Sequence, residues 1–219
     1  MKLAMKTDTF KPYNLALLKT DKGKDFSFTL NGEYIDYADG RTIANAKVDN
    51  LRMTDNDGET FVRNFYISDN NSEADRKLII SSDFIQATIF GTFDFSTVVN
   101  SLKYAAESHL SAFDIPWSDK KKTIKEGKNE FYYDILINNS RPLTEILDLP
   151  ITVHEPSNIE GSFSDSKKTY SIEASIKKLD LNGALIKAID VKGKSSGGGL
   201  ELDAMLQKSL AKSPGDSGN

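Results

Sequence analysis

The side chains able to do chemistry are few and scattered. His109 and His154 are the only histidines. One falls in a helical pattern and the other in a loop, a spacing that makes neither a metal pair nor a base beside a nucleophile. The absence of cysteine removes disulfides, thiolate nucleophiles and thiolate metal sites. Asp55-Asn56-Asp57-Gly58-Glu59 alternates oxygen ligands around a glycine as a calcium loop does. The twelfth position of such a loop falls on Tyr66, which cannot supply the bidentate acid, so the run reads as a hairpin turn. Asp69 to Asp75 reads as another polar loop. Ser195-Ser196-Gly197-Gly198-Gly199 precedes a predicted strand, whereas a phosphate cradle needs amides converging at a helix N-terminus; it reads as a flexible turn. Any two of 32 acids could form a glycosidase pair, but no motif picks a pair out. The chain is therefore read as non-catalytic, with no cofactor and no metal.

Composition agrees with a chain that works through shape. Of 219 residues, 38% are hydrophobic and 27% charged, and mean hydropathy is -0.43. A sheet with one wetted face fits that balance better than a thick double-layered core. A net charge of -4 leaves no basic footprint for nucleic acid. Lys120, Lys121 and Lys122, after Pro116-Trp117, form the one dense basic run and read as a solvated loop. No run approaches the ~20 apolar residues that span a bilayer. Lys6, Asp8 and Lys11 interrupt any signal-peptide core, so a role outside the cytoplasm implies a fragment or a removed leader.

The elements follow from the period of the apolar residues. Residues 1–24 read as a mixed lead-in. From Asp25, Phe26, Phe28 and Leu30 alternate, Asn31-Gly32 reads as a hairpin turn, and Tyr34 to Tyr37 returns. Ala44, Ala46 and Val48 share one parity while Leu51 and Met53 take the other, which requires a bulge or bend near Asp49-Asn50. Phe61, Phe65 and Ile67 fall in phase. Lys77 to Ser82 leads into a long strand in which Ile85, Ala87, Ile89, Phe93 and Phe95 fall on one side; Phe84 and Phe90 interrupt the polar side. The period then changes to three and four through Val99, Leu102, Ala106, Leu110 and Phe113, predicting a helix over 97–113 capped by Ser96. A connection over 114–128 follows. Further strands cover Asn129 to Asn138, Asn158 to Phe163, Tyr170 to Ile176, Leu185 to Val191 and Leu200 to Leu206. A short helical segment has Pro142 in its first turn. The β-rich part spans 25–207 and a tail spans 208–219.

These patterns resemble a family. Ser82-Asp83-Phe84-Ile85, an alternating strand, Gly91-Thr92-Phe93-Asp94-Phe95 and then a helix look like a block repeated in TamB-like (AsmA-like) proteins, particularly those of Bacteroidetes. The alternation from Phe131 to Ile137, the segment Leu143 to Leu149, and Ile159-Glu160-Gly161-Ser162-Phe163 are similar to a second such block, the last matching a recurring I-x-G-x-F. Thr42 to Ser68 also fits the way these proteins pair strands, so the resemblance spans roughly residues 30 to 206. It implies an elongated, curved, partly open sheet, gutter-like, with an amphipathic helix near its apolar face. It further implies a place in the periplasm or cell envelope as an internal segment of a longer membrane-anchored protein. The implied work is phospholipid transport between membranes, outer-membrane protein assembly, or both. Phospholipid acyl chains and an outer-membrane β-barrel assembly protein are the implied partners.

On this reading the groove is lined by Leu78, Ile80, Ile85, Ala87, Ile89, Phe93, Phe95, Phe131, Tyr133, Ile135, Ile137, Ile172, Ala174, Ile176, Leu200 and Leu202. Sequence period alone does not separate an open groove from a closed core, because lipid and a second sheet demand the same alternation. Two other readings stand beside it. One is a cell-surface β-sandwich binding carbohydrate or protein through aromatic platforms such as Trp117, Tyr132 and Tyr133. The other is a glycan hydrolase with two acids facing each other across a cleft.

Overall fold

The computed structural model describes residues 1–11, 23–56, 58–72, 75–95, 97, 128–147, 151–181, 183–196 and 199–208. The expected helix over 97–113, the connection over 114–128 and the tail over 208–219 fall almost wholly outside these residues. So do His109, Trp117 and Lys120 to Lys122.

Alternating sequences become strands. They are β1 (Lys2–Phe10), β2 (Asp25–Asp36), β3 (Thr42–Thr54), β4 (Glu59–Asn71), β5 (Arg76–Ser82), β6 (Ile85–Thr92) and β7 (Glu130–Ile137). A one-helix interruption, α1 (Arg141–Leu147), precedes β8 (Ile151–Val153), β9 (Ser157–Ser164), β10 (Thr169–Leu181), β11 (Ala184–Ser196) and β12 (Gly199–Lys208). All the described strands join one antiparallel sheet in the order β1-β2-β3-β4-β5-β6-β7-β9-β10-β11-β12, with β8 beside β10 past the end of β9. The protein is mainly β, and its sheet is open. Among the described residues no second sheet lies against it, so a β-sandwich is not what these strands build.

Residues directly opposite each other on neighbouring strands share a face. One such row runs Leu3, Gly32, Ala46, Ile67, Ile80, Ala87, Ile135, Ile159, Ala174, Val191 and Ala204, from one sheet edge to the other. Every member is apolar. The adjacent row on the other face runs Lys2, Glu33, Asn45, Ser68, Ile79, Thr88, Asp134, Glu160, Glu173, Lys192 and Asp203. Only Ile79 is apolar there. Along these two rows one face of the sheet is apolar and the other polar, Ile79 apart.

Several local expectations change. Residues 1–24 begin with β1 instead of a mixed lead-in, because Leu3 and Met5 alternate with Lys2 and Lys6 and pair with β2. Asn31-Gly32 is not a turn. Phe26, Phe28, Leu30, Gly32 and Tyr34 keep one parity straight through it, so β2 stays extended. The hairpin falls instead at Tyr37 to Arg41, closed by the Tyr37 amide on the Arg41 carbonyl at 2.9 Å, with Gly40 at φ +82°. β3 carries the expected bulge. Its register with β2 shifts between Ser27 and Thr29, and Asn50 sits at φ +53°. The shift sets Met53 opposite Phe26, on the apolar face. Val62, opposite the half-buried Leu51, is 1% exposed while Phe61 is 41% exposed, so Phe61 is out of phase with Phe65 and Ile67. Phe61 lies under the Arg52 guanidinium at 4.7 Å. Strand β4 also runs through Asp69 to Asn71, and the Ser72 amide bonds the Asp75 carbonyl at 2.8 Å just before β5. At the other end β11 extends through Ser195, whose buried hydroxyl accepts the Tyr170 amide at 3.0 Å instead of lying in a flexible turn.

Two glycines at the same backbone angle separate strain from crowding. Gly91 and Gly58 both have φ +143°, a region L side chains rarely adopt. A Cβ on Gly91 would meet the Glu130 carbonyl oxygen at 2.2 Å and the Phe131 Cα at 2.7 Å, whereas on Gly58 it meets nothing within 4 Å. Gly58→Ala is expected to cost about 1–3 kcal/mol from strain alone. Gly91→Ala should cost at least ~2 kcal/mol more, because β7 backbone must move. Urea unfolding of both variants measures the difference; equal losses would mean that β6 and β7 do not approach as closely as described.

Candidate functional site

The apolar face presents a row without charge or polar side chain from one sheet edge to the other, so it is the candidate site. Of the sixteen residues expected to line it, most are brought together. Leu78, Ile80, Ile85, Ala87, Ile89, Phe131, Tyr133, Ile135, Ile137, Ile172, Ala174 and Ile176 are buried or half-buried on β5, β6, β7 and β10. Their rows cross the sheet directly: Leu78 opposite Ile89, Ile89 opposite Tyr133, Ile85 opposite Ile137. Leu202, on the last strand, is 51% exposed. Leu200 holds its place in β12, opposite Ser195. Phe93 and Phe95 differ from expectation because β6 ends at Thr92. Phe93 still packs with Leu78, Phe131 and Phe163 in a buried cluster, while Phe95 turns out and is 47% exposed.

The face ends at this cluster on one side. Arg76 reaches across it, donating to both Asp69 carboxylate oxygens at 2.8 and 2.6 Å. Its guanidinium lies over the Phe95 ring at 4.0 Å and the Phe93 ring at 5.2 Å. Each side chain of this ion pair is 16% exposed, which makes it a partly desolvated lid over the aromatic cluster and not a free cation. Beside it, Tyr133 lies across Gly161. A Cβ there would be 2.5 Å from the Tyr133 hydroxyl, which donates to the Ser171 carbonyl at 3.1 Å. Burial raises the Tyr133 phenol above its ordinary value. The glycine in Ile159-Glu160-Gly161-Ser162-Phe163 therefore makes room for a ring on the apolar face.

On the other side the face ends at α1. Strands β5, β6 and β7 have 7, 8 and 8 residues, between thirteen-residue β3–β4 and β10–β11 pairs. Past their ends lie α1 and β8. Glu145 is the anchor. Its backbone carbonyl accepts the Lys24 ammonium at 2.7 Å, and its carboxylate accepts the Thr60 hydroxyl on β4 and the Arg141 guanidinium. Ser140 and Thr144 fasten the helix to β8, through the Val153 amide at 2.7 Å and the Ile151 carbonyl at 2.7 Å.

The polar face carries the remaining candidates. Asp134, Glu160 and Glu173 stand side by side along one face of neighbouring strands, not opposed across a cleft as a glycosidase pair would be. Tyr132 is 67% exposed opposite Phe90 at 45% on this same face, whereas Tyr133 belongs to the apolar one. His154 sits between β8 and β9, where its amide bonds the Lys178 carbonyl at 2.9 Å. Asp55 serves its turn, accepting the Gly58 amide at 3.0 Å. Among the described residues no group of three His, Asp or Glu could hold a metal, and no helix is long and apolar enough to cross a membrane.

Sequence reasoning missed the polar anchors at both ends. Arg76, Asp69 and Glu145 belong to runs that read as loop or plain helix, and their partners are remote in sequence. The nearest signal is that Asp69 and Arg76 share apolar-face parity with Ile67 and Leu78.

Burial raises the Glu145 carboxyl, but the Thr60 hydroxyl and the Arg141 guanidinium lower it, and the net shift is downward. A carboxyl depressed on folding contributes stability above its unfolded pKa of about 4.3, and loses it as pH falls through the lower folded value. The melting temperature of the wild type should therefore fall more steeply below about pH 5 than that of Glu145→Gln. Parallel pH profiles would mean that the carboxylate does not anchor α1.

No protein-family model, no curated protein and no solved structure matches this chain.

Proposed function

We infer that the chain is a non-catalytic segment whose apolar face forms a curved, partly open groove for the acyl chains of phospholipids. The observation that carries this reading is the edge-to-edge row from Leu3 to Ala204, apolar at every strand of the path. A core needs such a row only where something packs on it. A lipid path needs it without interruption.

Burial of an acyl chain gains ~0.8 kcal/mol per CH₂ without directional chemistry. The face supplies that surface with branched and small side chains and no charge along its central row. The ion pair of Arg76 with Asp69 and the docked α1 bound it at either side, so the apolar strip has a width set by the sheet itself. The resemblance to TamB-like proteins gives this groove a setting: an internal segment of a longer, membrane-anchored envelope protein that carries phospholipid between membranes or assists outer-membrane barrel assembly.

A charge in the central row tests the reading. Ile135 is half-buried and lies outside the buried aromatic cluster. In an open groove its replacement by Asp reaches water when lipid is absent, so Ile135→Asp should keep the wild-type far-ultraviolet spectrum and lose most binding of cis-parinaric acid and of a dansyl-labelled phospholipid. In a dry core the unpaired carboxylate would cost several kcal/mol. A variant that unfolds, with a wild type that binds neither probe, would discard the groove.

A further inference from the structure

We propose that the polar face over β1 to β4 is a second binding site, for an oligosaccharide bearing a carboxylate. The reading is independent of the lipid groove and lies on the opposite side of the sheet.

Two adjoining depressions of about 550 Å³ and about 460 Å³ share Lys47 and Tyr66 and together cross four strands. The cross-strand register assembles the lining. Its central row is Ala4, Asn31, Lys47 and Tyr66, in which the outermost member is a bare methyl. Thr29, Asp49 and Asn64 lie in the row on one side of it, and Lys2, Glu33 and Asn45 in the row on the other. Asn50, at the bulge of β3, also lines the hollow.

The lining chemistry selects the ligand. Asn31, Asn45, Asn50 and Asn64 each offer a carbonyl acceptor beside an amide donor, the pair that matches vicinal hydroxyls. The Tyr66 hydroxyl donates to the Asn45 carbonyl oxygen at 3.1 Å, which fixes the ring and leaves the Asn45 amide group to donate outward. Charge then sets the sign. Lys47 is paired with Asp49 at 3.0 Å and Lys2 with Glu33 at 3.4 Å. Arg63 is exposed and has no ion pair among the described residues, so its guanidinium is the one unmatched charge of the hollow. A planar fork of that kind takes a carboxylate in two parallel hydrogen bonds. Nucleic acid is disfavoured by Asp49 and Glu33 at the site and by the net charge of -4. An extended peptide would pair along a free sheet edge and not lie across four strands.

The test is calorimetric titration of the full chain with tetragalacturonate and, separately, with neutral maltotetraose. Tetragalacturonate should bind at least tenfold more tightly than maltotetraose, and Arg63→Ala should remove that preference. Lys187→Ala, the same loss of charge on exposed β11, should leave it intact. Asn64→Ala should weaken both sugars. These residues are exposed or half-buried, and the far-ultraviolet spectrum and the urea unfolding midpoint report whether each variant remains folded. Absence of binding by both sugars overturns the proposal, as does equal binding of the two, or an Arg63→Ala effect no larger than that of Lys187→Ala.

Discussion

In an antiparallel sheet a one-residue slip between two strands turns every later strand inside out, so the protein depends on register held across ten successive strand pairings. Register here is fixed by the side chains themselves. Ile67 opposes Ile80, and Ile135 opposes Ile159. Slipping the first pair would set Ile80 beside Tyr66 or Ser68, and slipping the second would set Ile159 beside Asp134 or Leu136 on the other face. Where the count goes wrong by one in β3 and in β11, the extra residue is absorbed by Asn50 and by Ala188 in the left-handed region, and the apolar set continues on the same side.

A single layer of strands has little depth in which to hide polar groups, and the anchors accordingly sit at its margins. Arg76 and Asp69 close one margin over Phe93 and Phe95. Asn129, 1% exposed, ties the chain beyond β6 to the β9–β10 turn. Its side-chain oxygen accepts the Asp94 amide at 2.9 Å, and its amide group donates to Asp165 at 2.9 Å. At the opposite margin Glu145 holds α1 against β4. Between the margins the central row is free of charge. Local close approaches at Gly91 and Gly161 let neighbouring backbone and rings pass without breaking the row.

Most of the strands were legible, β1 and β8 apart, because they show their period in their own residues: Phe131, Tyr133, Ile135 and Ile137 alternate whatever lies beside them. The bulge at Asp49-Asn50 was legible for the same reason, as a change of parity within β3. What neighbours impose was not. Asn31-Gly32 has turn chemistry, yet the unbroken parity of Phe26 to Tyr34 and the pairing of Gly32 with both Leu3 and Ala46 keep it extended. Phe61 looked in phase with Phe65, but the parity change in β3 is matched by the stretch of β4 opposite it, and Val62 takes the buried place. The edge-to-edge apolar row belongs to eleven strands at once, and no window along the chain contains it. The polar hollow beside Tyr66 is likewise made by residues from four strands.

The most direct test of the account is to map where an acyl chain touches the protein. A phosphatidylcholine carrying a diazirine on one acyl chain, photolysed with the full chain and followed by peptide mass spectrometry, reports the contact residues. The account predicts adducts at apolar-face positions on several strands, such as Ile80, Ile135, Ile159 and Val191, with few at Thr88, Asp134, Glu160 or Lys192 on the other face. Adducts spread equally over both faces, or none above the level given by an unrelated sheet protein, would contradict it.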